Sequence, residues 1–178
     1  YDNGFWWRLG QFDSRYGFEA NDSADLAFTS QGFVYGGMPK THTGILLGYE
    51  LSAMFGLSLL ISNPATRGAT AAAAGNFDYG FKLSSDFDGF KAGVGGLFFN
   101  NRTAGSGSGW LFDIVAGTSV EGLNIDLEVA FTKTGTGADT GIGFLGQLDY
   151  GLTETMTAGA RIEYTKSWDG TDSQLGFA

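Results

Sequence analysis

Three stretches of this chain alternate apolar and polar residues with a period of two, and that period allows little but β-structure. Phe77, Tyr79, Phe81 and Leu83 fall on one face of an extended segment, with Asp78, Gly80, Lys82 and Ser84 on the other. Leu123, Ile125, Leu127, Val129 and Phe131 oppose Asn124, Asp126, Glu128, Ala130 and Thr132 in the same way. Met156, Ala158, Ala160, Ile162 and Tyr164 oppose Thr157, Gly159, Arg161, Glu163 and Thr165. Looser versions over 4–12, 42–51, 55–62, 89–100, 109–120 and 141–152 bring the count to nine strands, and a tenth begins near Gln174-Leu175-Gly176-Phe177. Most of these segments have the ~9–11 residues a tilted strand needs to cross a bilayer, well above the soluble mode of ~5–6.

The links between strands alternate in length. Short ones fall at Ser52-Ala53-Met54, Asp86-Phe87-Asp88, Glu121-Gly122 and Thr153-Glu154-Thr155, and longer polar ones at 63–75, 101–108, 134–140 and 167–173. Strict alternation is the pattern of a transmembrane barrel with turns at one rim and loops at the other. The segment from Ser14 to Thr41 is longer than any other link and rich in aromatics: Tyr16, Phe18, Phe28, Phe33 and Tyr35. A connection of that length and apolarity is expected to pack, here against the inner wall. Its charged residues, Arg15, Glu19, Asp22, Asp25 and Lys40, then form a candidate constriction.

Lipid offers no partner for backbone N–H or C=O, so strands cross it only as a closed barrel, apolar outside. The polar phase of the strands carries Arg8, Glu50, Asp78, Lys82, Lys91, Asp113, Asp126, Glu128, Asp149, Arg161 and Glu163, the candidate pore-lining set. Seven of these are carboxylates and four are basic, which predicts a mild preference for cations if all of them face water. Aromatics near segment ends, including Phe77, Phe87, Phe98, Trp110, Tyr150 and Tyr164, sit where interfacial girdles belong. A soluble lipocalin-like barrel has the same alternation turned inside out, but this many apolar faces would overfill its interior.

Composition removes other classes. Nineteen acidic residues against ten basic ones, net −9, disfavour nucleic acid as a partner. The longest apolar runs, such as Leu59-Leu60-Ile61, fall far short of a membrane helix, and Tyr1-Asp2-Asn3-Gly4 does not read as a signal peptide. With no cysteine and His42 as the one histidine, neither a transition-metal site nor a catalytic triad has its usual residues. Gly135-Thr136-Gly137-Ala138-Asp139-Thr140-Gly141 lacks the lysine of a phosphate loop and reads as a hairpin loop. The same-face pairs Asp126 with Glu128 and Arg161 with Glu163 could serve catalysis, but such pairs more often line a wet lumen. No enzyme, metal or cofactor is expected.

Arg8-Leu9-Gly10-Gln11-Phe12-Asp13-Ser14-Arg15-Tyr16-Gly17-Phe18-Glu19, followed by Thr41-His42-Thr43-Gly44-Ile45-Leu46-Leu47-Gly48-Tyr49, resembles the β-barrel porin-2 (OmpL-like) family. The likeness is strongest over 5–62, where a Gly-rich strand, an aromatic loop and a Thr-His-Thr-Gly strand start follow one another. It implies an all-β, antiparallel up-and-down barrel in the bacterial outer membrane, a single domain over 1–178 and an internal piece of a larger barrel. The function so implied is a porin-like channel for small hydrophilic solutes or ions. The rival reading is a structural or surface-interaction barrel with a plugged lumen. Partners on these readings are outer-membrane lipids and lipopolysaccharide, small solutes, and a further copy of the chain or an envelope protein.

Overall fold

The computed structural model describes residues 4–19, 28, 30–64, 77–99, 108–133, 135, 138–153, 156–168 and 172–178. Ten strands follow in chain order: β1 (Phe5–Asp13), β2 (Thr41–Glu50), β3 (Phe55–Ser62), β4 (Asp78–Phe87), β5 (Phe90–Phe99), β6 (Gly109–Val120), β7 (Leu123–Lys133), β8 (Gly141–Gly151), β9 (Thr157–Lys166) and β10 (Gln174–Phe177). One helical turn, α1 (Phe33–Gly36), lies between β1 and β2. Each strand pairs antiparallel with its neighbours in sequence, giving one sheet in the order β1 to β10. This is the up-and-down meander that the alternation predicts. Among the described residues, β1 and β10 have one strand partner each.

One turn differs from expectation. The link placed at 86–88 lies at Asp88–Gly89, because pairing continues through Asp86 opposite Lys91 and Phe87 opposite Phe90. Asp88 and Gly89 both take positive φ (27° and 91°), as do Glu121 and Gly122 (51° and 84°). Two left-handed residues match the right-handed twist of the flanking strands, which is why Asp-Gly serves this hairpin.

The register tilts the strands. A single row runs Phe5, Tyr49, Leu57, Leu83, Val94, Ile114, Val129, Phe144, Tyr164, Leu175, each residue opposite the next. It begins at the short-turn end of β1 and reaches the eighth residue of β9, climbing seven residues in eight strand steps. At ~3.3 Å per residue and ~4.8 Å per strand this is ~23 Å of stagger across ~38 Å, a tilt of ~30° and close to the ~35–45° of barrels. Every residue in the row is apolar, and Val94, Ile114 and Leu175 are 44%, 50% and 59% exposed. Along this row the outward face is apolar, and polar residues on the same phase, such as Gln11 and Lys166, lie nearer the strand ends. Aromatic residues mark its two margins: Phe55 packs edge-on against Phe87 at the short-turn end, and Phe98 and Trp110 both pack on Phe112 toward the other. Aliphatic Leu47, Leu59, Leu127 and Leu148 lie between and are exposed.

The opposite face is covered by residues 14–19 and 30–40 of the link between β1 and β2. Tyr16 donates its hydroxyl to Gly96 O on β5 (3.2 Å), the Gly17 N–H reaches Asp113 on β6 (3.2 Å), and the Phe18 N–H reaches Glu128 on β7 (2.7 Å). Glu19 meets Arg161 on β9 at 2.9 Å. These contacts meet β5, β6, β7 and β9 in the order of the segment's residues, so this stretch runs across the strands.

Candidate functional site

The covered face divides into a dry half and a wet half. Toward the long-loop end, Val34, Tyr35 and Met38 from the segment and Trp168 from the β9–β10 link form one buried cluster with Leu46, Leu60, Leu97, Leu111, Ala130 and Leu145 of the strands. The Trp168 indole donates to Val34 O at 3.1 Å, tying that link to α1. Glycines on the strands make room: a Cβ on Gly143 would meet Val34 at 3.2 Å, and one on Gly95 would lie 2.2 Å from Asp113 Oδ1 and 2.9 Å from the Tyr16 ring. His42 is buried here, 3.5 Å from Ser62 Oγ through Nδ1 and edge-on to Tyr16, as a packed side chain.

A network of charges fixes the segment between the two halves. Glu19 accepts the Gly32 N–H at 2.8 Å and pairs with Arg161, whose guanidinium also donates to Ser30 O at 2.7 Å. Glu163 accepts the Val34 N–H at 3.2 Å and lies 3.5 Å from Arg161. The Lys82 ammonium is 3.8 Å from Asp113 and donates to Arg15 O. An irregular segment has backbone N–H groups with no ladder to join, and the strand carboxylates supply the missing acceptors. Burial pushes the Glu19 carboxyl above its ordinary value against the pull of the Gly32 N–H and Arg161. Burial and the nearby Asp113 raise Tyr16, which keeps its hydroxyl neutral and able to donate. Burial also lowers Arg15, and the adjacent Arg8 adds to the effect.

All eleven strand residues proposed from the alternation fall on the covered phase, but they do not share one environment. Asp78, Asp113, Asp126, Glu128, Arg161 and Glu163 are buried. Arg8, Glu50 and Lys91 are exposed, and Lys82 and Asp149 are half-buried. Of the proposed constriction residues, Glu19 is buried and Arg15 and Lys40 are half-buried, Lys40 with its ammonium 3.5 Å from the Tyr35 ring centroid. Asp22 and Asp25 lie outside the described residues. Asp126 is bonded to Gln147 (3.2 Å) and Glu128 to the segment, so the pair raised for catalysis is engaged in packing. Among the described residues no group of three or more His, Asp or Glu could hold a metal ion.

The wet half lies at the short-turn end. There a cavity of about 370 Å³ is lined by Glu50, Lys82, Ser84, Asp86, Lys91 and by Gly17 and Phe18 of the segment. Sequence reasoning missed Asp86, which it assigned to a turn, and Trp6, whose indole N–H donates to Glu50 at 3.2 Å. The alternation of Trp6 with Trp7 was the available signal, since it puts Trp6 on the phase of Arg8. Trp168 had no such signal, being one aromatic in a polar link.

Comparison with curated proteins and with solved structures gives no match. Residues 1–177 match the family described as Putative beta-barrel porin-2, OmpL-like. With an apolar outer face, ten up-and-down strands and a match over nearly its whole length, the chain belongs to this porin-like β-barrel family.

Proposed function

We propose that the chain forms the wall of an outer-membrane channel that passes small hydrophilic solutes or ions, with the 14–40 segment narrowing the bore. The observation that carries this reading is the division of one tilted sheet into an apolar outer face with aromatic margins and a charged inner face. Lipid and lipopolysaccharide contact the first, and water and solute the second. Porin-family membership argues for passive diffusion and against catalysis. The test is single-channel recording of purified, folded protein in planar bilayers, where discrete ohmic steps are the expected result.

The buried apolar cluster around Val34, Met38 and Trp168 favours a second reading, a barrel plugged at its long-loop half. On that reading the loops or rims bind an envelope protein or another copy of the chain. Folded, membrane-inserted protein that stays silent at all voltages would establish it over the first.

A further inference from the structure

The charge count over the whole covered face does not describe the part of it that water reaches. Five of the seven candidate carboxylates, Asp78, Asp113, Asp126, Glu128 and Glu163, are buried, whereas of the four basic residues only Arg161 is. Arg8 and Lys91 are exposed, and Lys82 and Arg15 are half-buried. Asp113, Glu128 and Glu163 hold the segment, and on the β1–β5 side the accessible cations Arg8 and Lys91, with half-buried Lys82 and Arg15, stand beside exposed Glu50 and Asp86.

Two of these cations are set together in an unusual way. The Arg8 and Arg15 guanidinium carbons lie 5.9 Å and 5.3 Å from the centroid of the same Trp6 ring. Among the described residues neither guanidinium has a carboxylate within 4.0 Å. Glu50, which acts electrostatically on Arg15, has one oxygen taken by the Trp6 indole N–H. Arg15 also lines a recess with Trp6, Glu50 and Ser84, and the latter two continue into the 370 Å³ cavity. Two like charges against one ring repel each other, and the ring's quadrupole offsets only part of that cost. A bound oxyanion offsets that repulsion, and its geometry matches the planar guanidinium fork.

We propose that Trp6, Arg8 and Arg15 form a binding subsite for small anions bearing a carboxylate or phosphate group, at the short-turn mouth of the barrel. Resting on the channel reading above, this makes the pore anion-preferring at that mouth, opposite to what the whole-face count of carboxylates predicts. Arg8 and Arg15 are the residues that determine this preference, and the adjoining cavity carries Lys82 and Lys91 together with Glu50 and Asp86.

Two measurements separate this proposal from the channel reading. The first is calorimetric titration of the detergent-folded protein with succinate and with inorganic phosphate, which needs no conduction. Saturable binding is expected, weakened about tenfold by Arg15→Gln and by Arg8→Gln, and unchanged by Lys166→Gln on the outer phase. Gel mobility of the unheated protein verifies folding. If Arg15→Gln fails to fold, Arg8→Gln decides the matter, since its side chain is exposed. The second is the reversal potential under a KCl gradient, expected to show chloride preferred over potassium and to move toward potassium in both arginine variants. Folded wild-type protein that binds neither probe overturns the proposal whether or not it conducts. So does a potassium preference unaffected by both substitutions. Binding without conductance upholds the subsite and overturns the channel.

Discussion

Leu127→Arg tests the orientation of the sheet in lipid more directly than any change on the covered face. Leu127 is on the outward phase, 48% exposed, and is the fifth of the eleven residues of β7. The middle residue is Glu128, so with a rise of ~3.4 Å and a tilt of ~35° Leu127 lies ~3 Å from the strand's mid-depth. Leu123, the first residue of β7 and on the same phase, lies five residues from the middle, hence ~14 Å away. That is the margin of an apolar band ~25 Å tall, where an arginine costs ~0–1 kcal/mol against ~2–4 at the midplane. The difference of ~2–3 kcal/mol is a ~30- to 150-fold change in the folding equilibrium. Urea titration of protein folded into short-chain phosphatidylcholine liposomes, followed by tryptophan emission and by gel mobility, measures it. Leu127→Arg should lose that much relative to Leu123→Arg. Equal losses, or a greater loss at Leu123, would refute the depth assignment and with it the argument that the outward row crosses lipid.

Three further outcomes are expected. Glu128→Arg, one residue from Leu127, should leave the barrel inserted but release the segment, because its carboxylate accepts the Phe18 N–H at 2.7 Å; faster tryptic cleavage at Arg15 or Lys40 with unchanged barrel mobility is the reading. Gly95→Val should act alike, losing ~1–3 kcal/mol of docking as its side chain overpacks Asp113 and Tyr16; a variant as protease-resistant as wild type would show that the Gly95 dent is dispensable. Cysteines at Ser108 and Ala138 should label in intact cells, and those at Ala53 and Glu121 only after permeabilisation, since the chain has no cysteine of its own and short turns and long loops lie at opposite rims.

The strands were legible because their information is local. Period two survives in β4, β7 and β9 without reference to any neighbour, and ladder pairing then extends each strand to its turn. The exception at Asp88–Gly89 arises because Asp86 and Phe87 look like turn residues in sequence but find partners in Lys91 and Phe90. The site was legible only in its phase. Alternation placed Asp113, Glu128 and Glu163 on the inner face, but it carries no information on what covers them. That depends on contacts across 96, 110 and 129 residues of sequence, from Gly17, Phe18 and Val34. Glycines at 95 and 143 read as weak strand positions and are dents for Tyr16 and Val34.

Glu19 shows how the two demands on the covered face meet, and its titration yields a prediction of its own. Its carboxyl is held above the ordinary value by burial, with Arg161, Glu163 and Lys40 as the charged groups acting on it. The docked segment therefore binds a proton at a pH where a hydrated carboxyl has already lost it. As pH rises through the docked value, docking weakens. As pH falls from there toward the ordinary carboxylate range it strengthens, and below that range the gain is constant because both forms are protonated. Glu19→Gln keeps the shape and removes the titration, and its one amide oxygen accepts from either the Gly32 N–H or Arg161, which bond separate carboxylate oxygens in the wild type. Hydrogen exchange at the Gly32 and Val34 amides, corrected for the intrinsic pH dependence of exchange, should show protection rising toward acid in the wild type. The corresponding slope should be shallower in the variant. Glu19 also acts on the buried Glu128, so the difference between the two profiles reports Glu19 together with its influence on that neighbour. A wild-type profile that runs the other way, with protection lost on mild acidification and the loss abolished by Glu19→Gln, would mean that the ion pair with Arg161 outweighs the burial of the carboxylate.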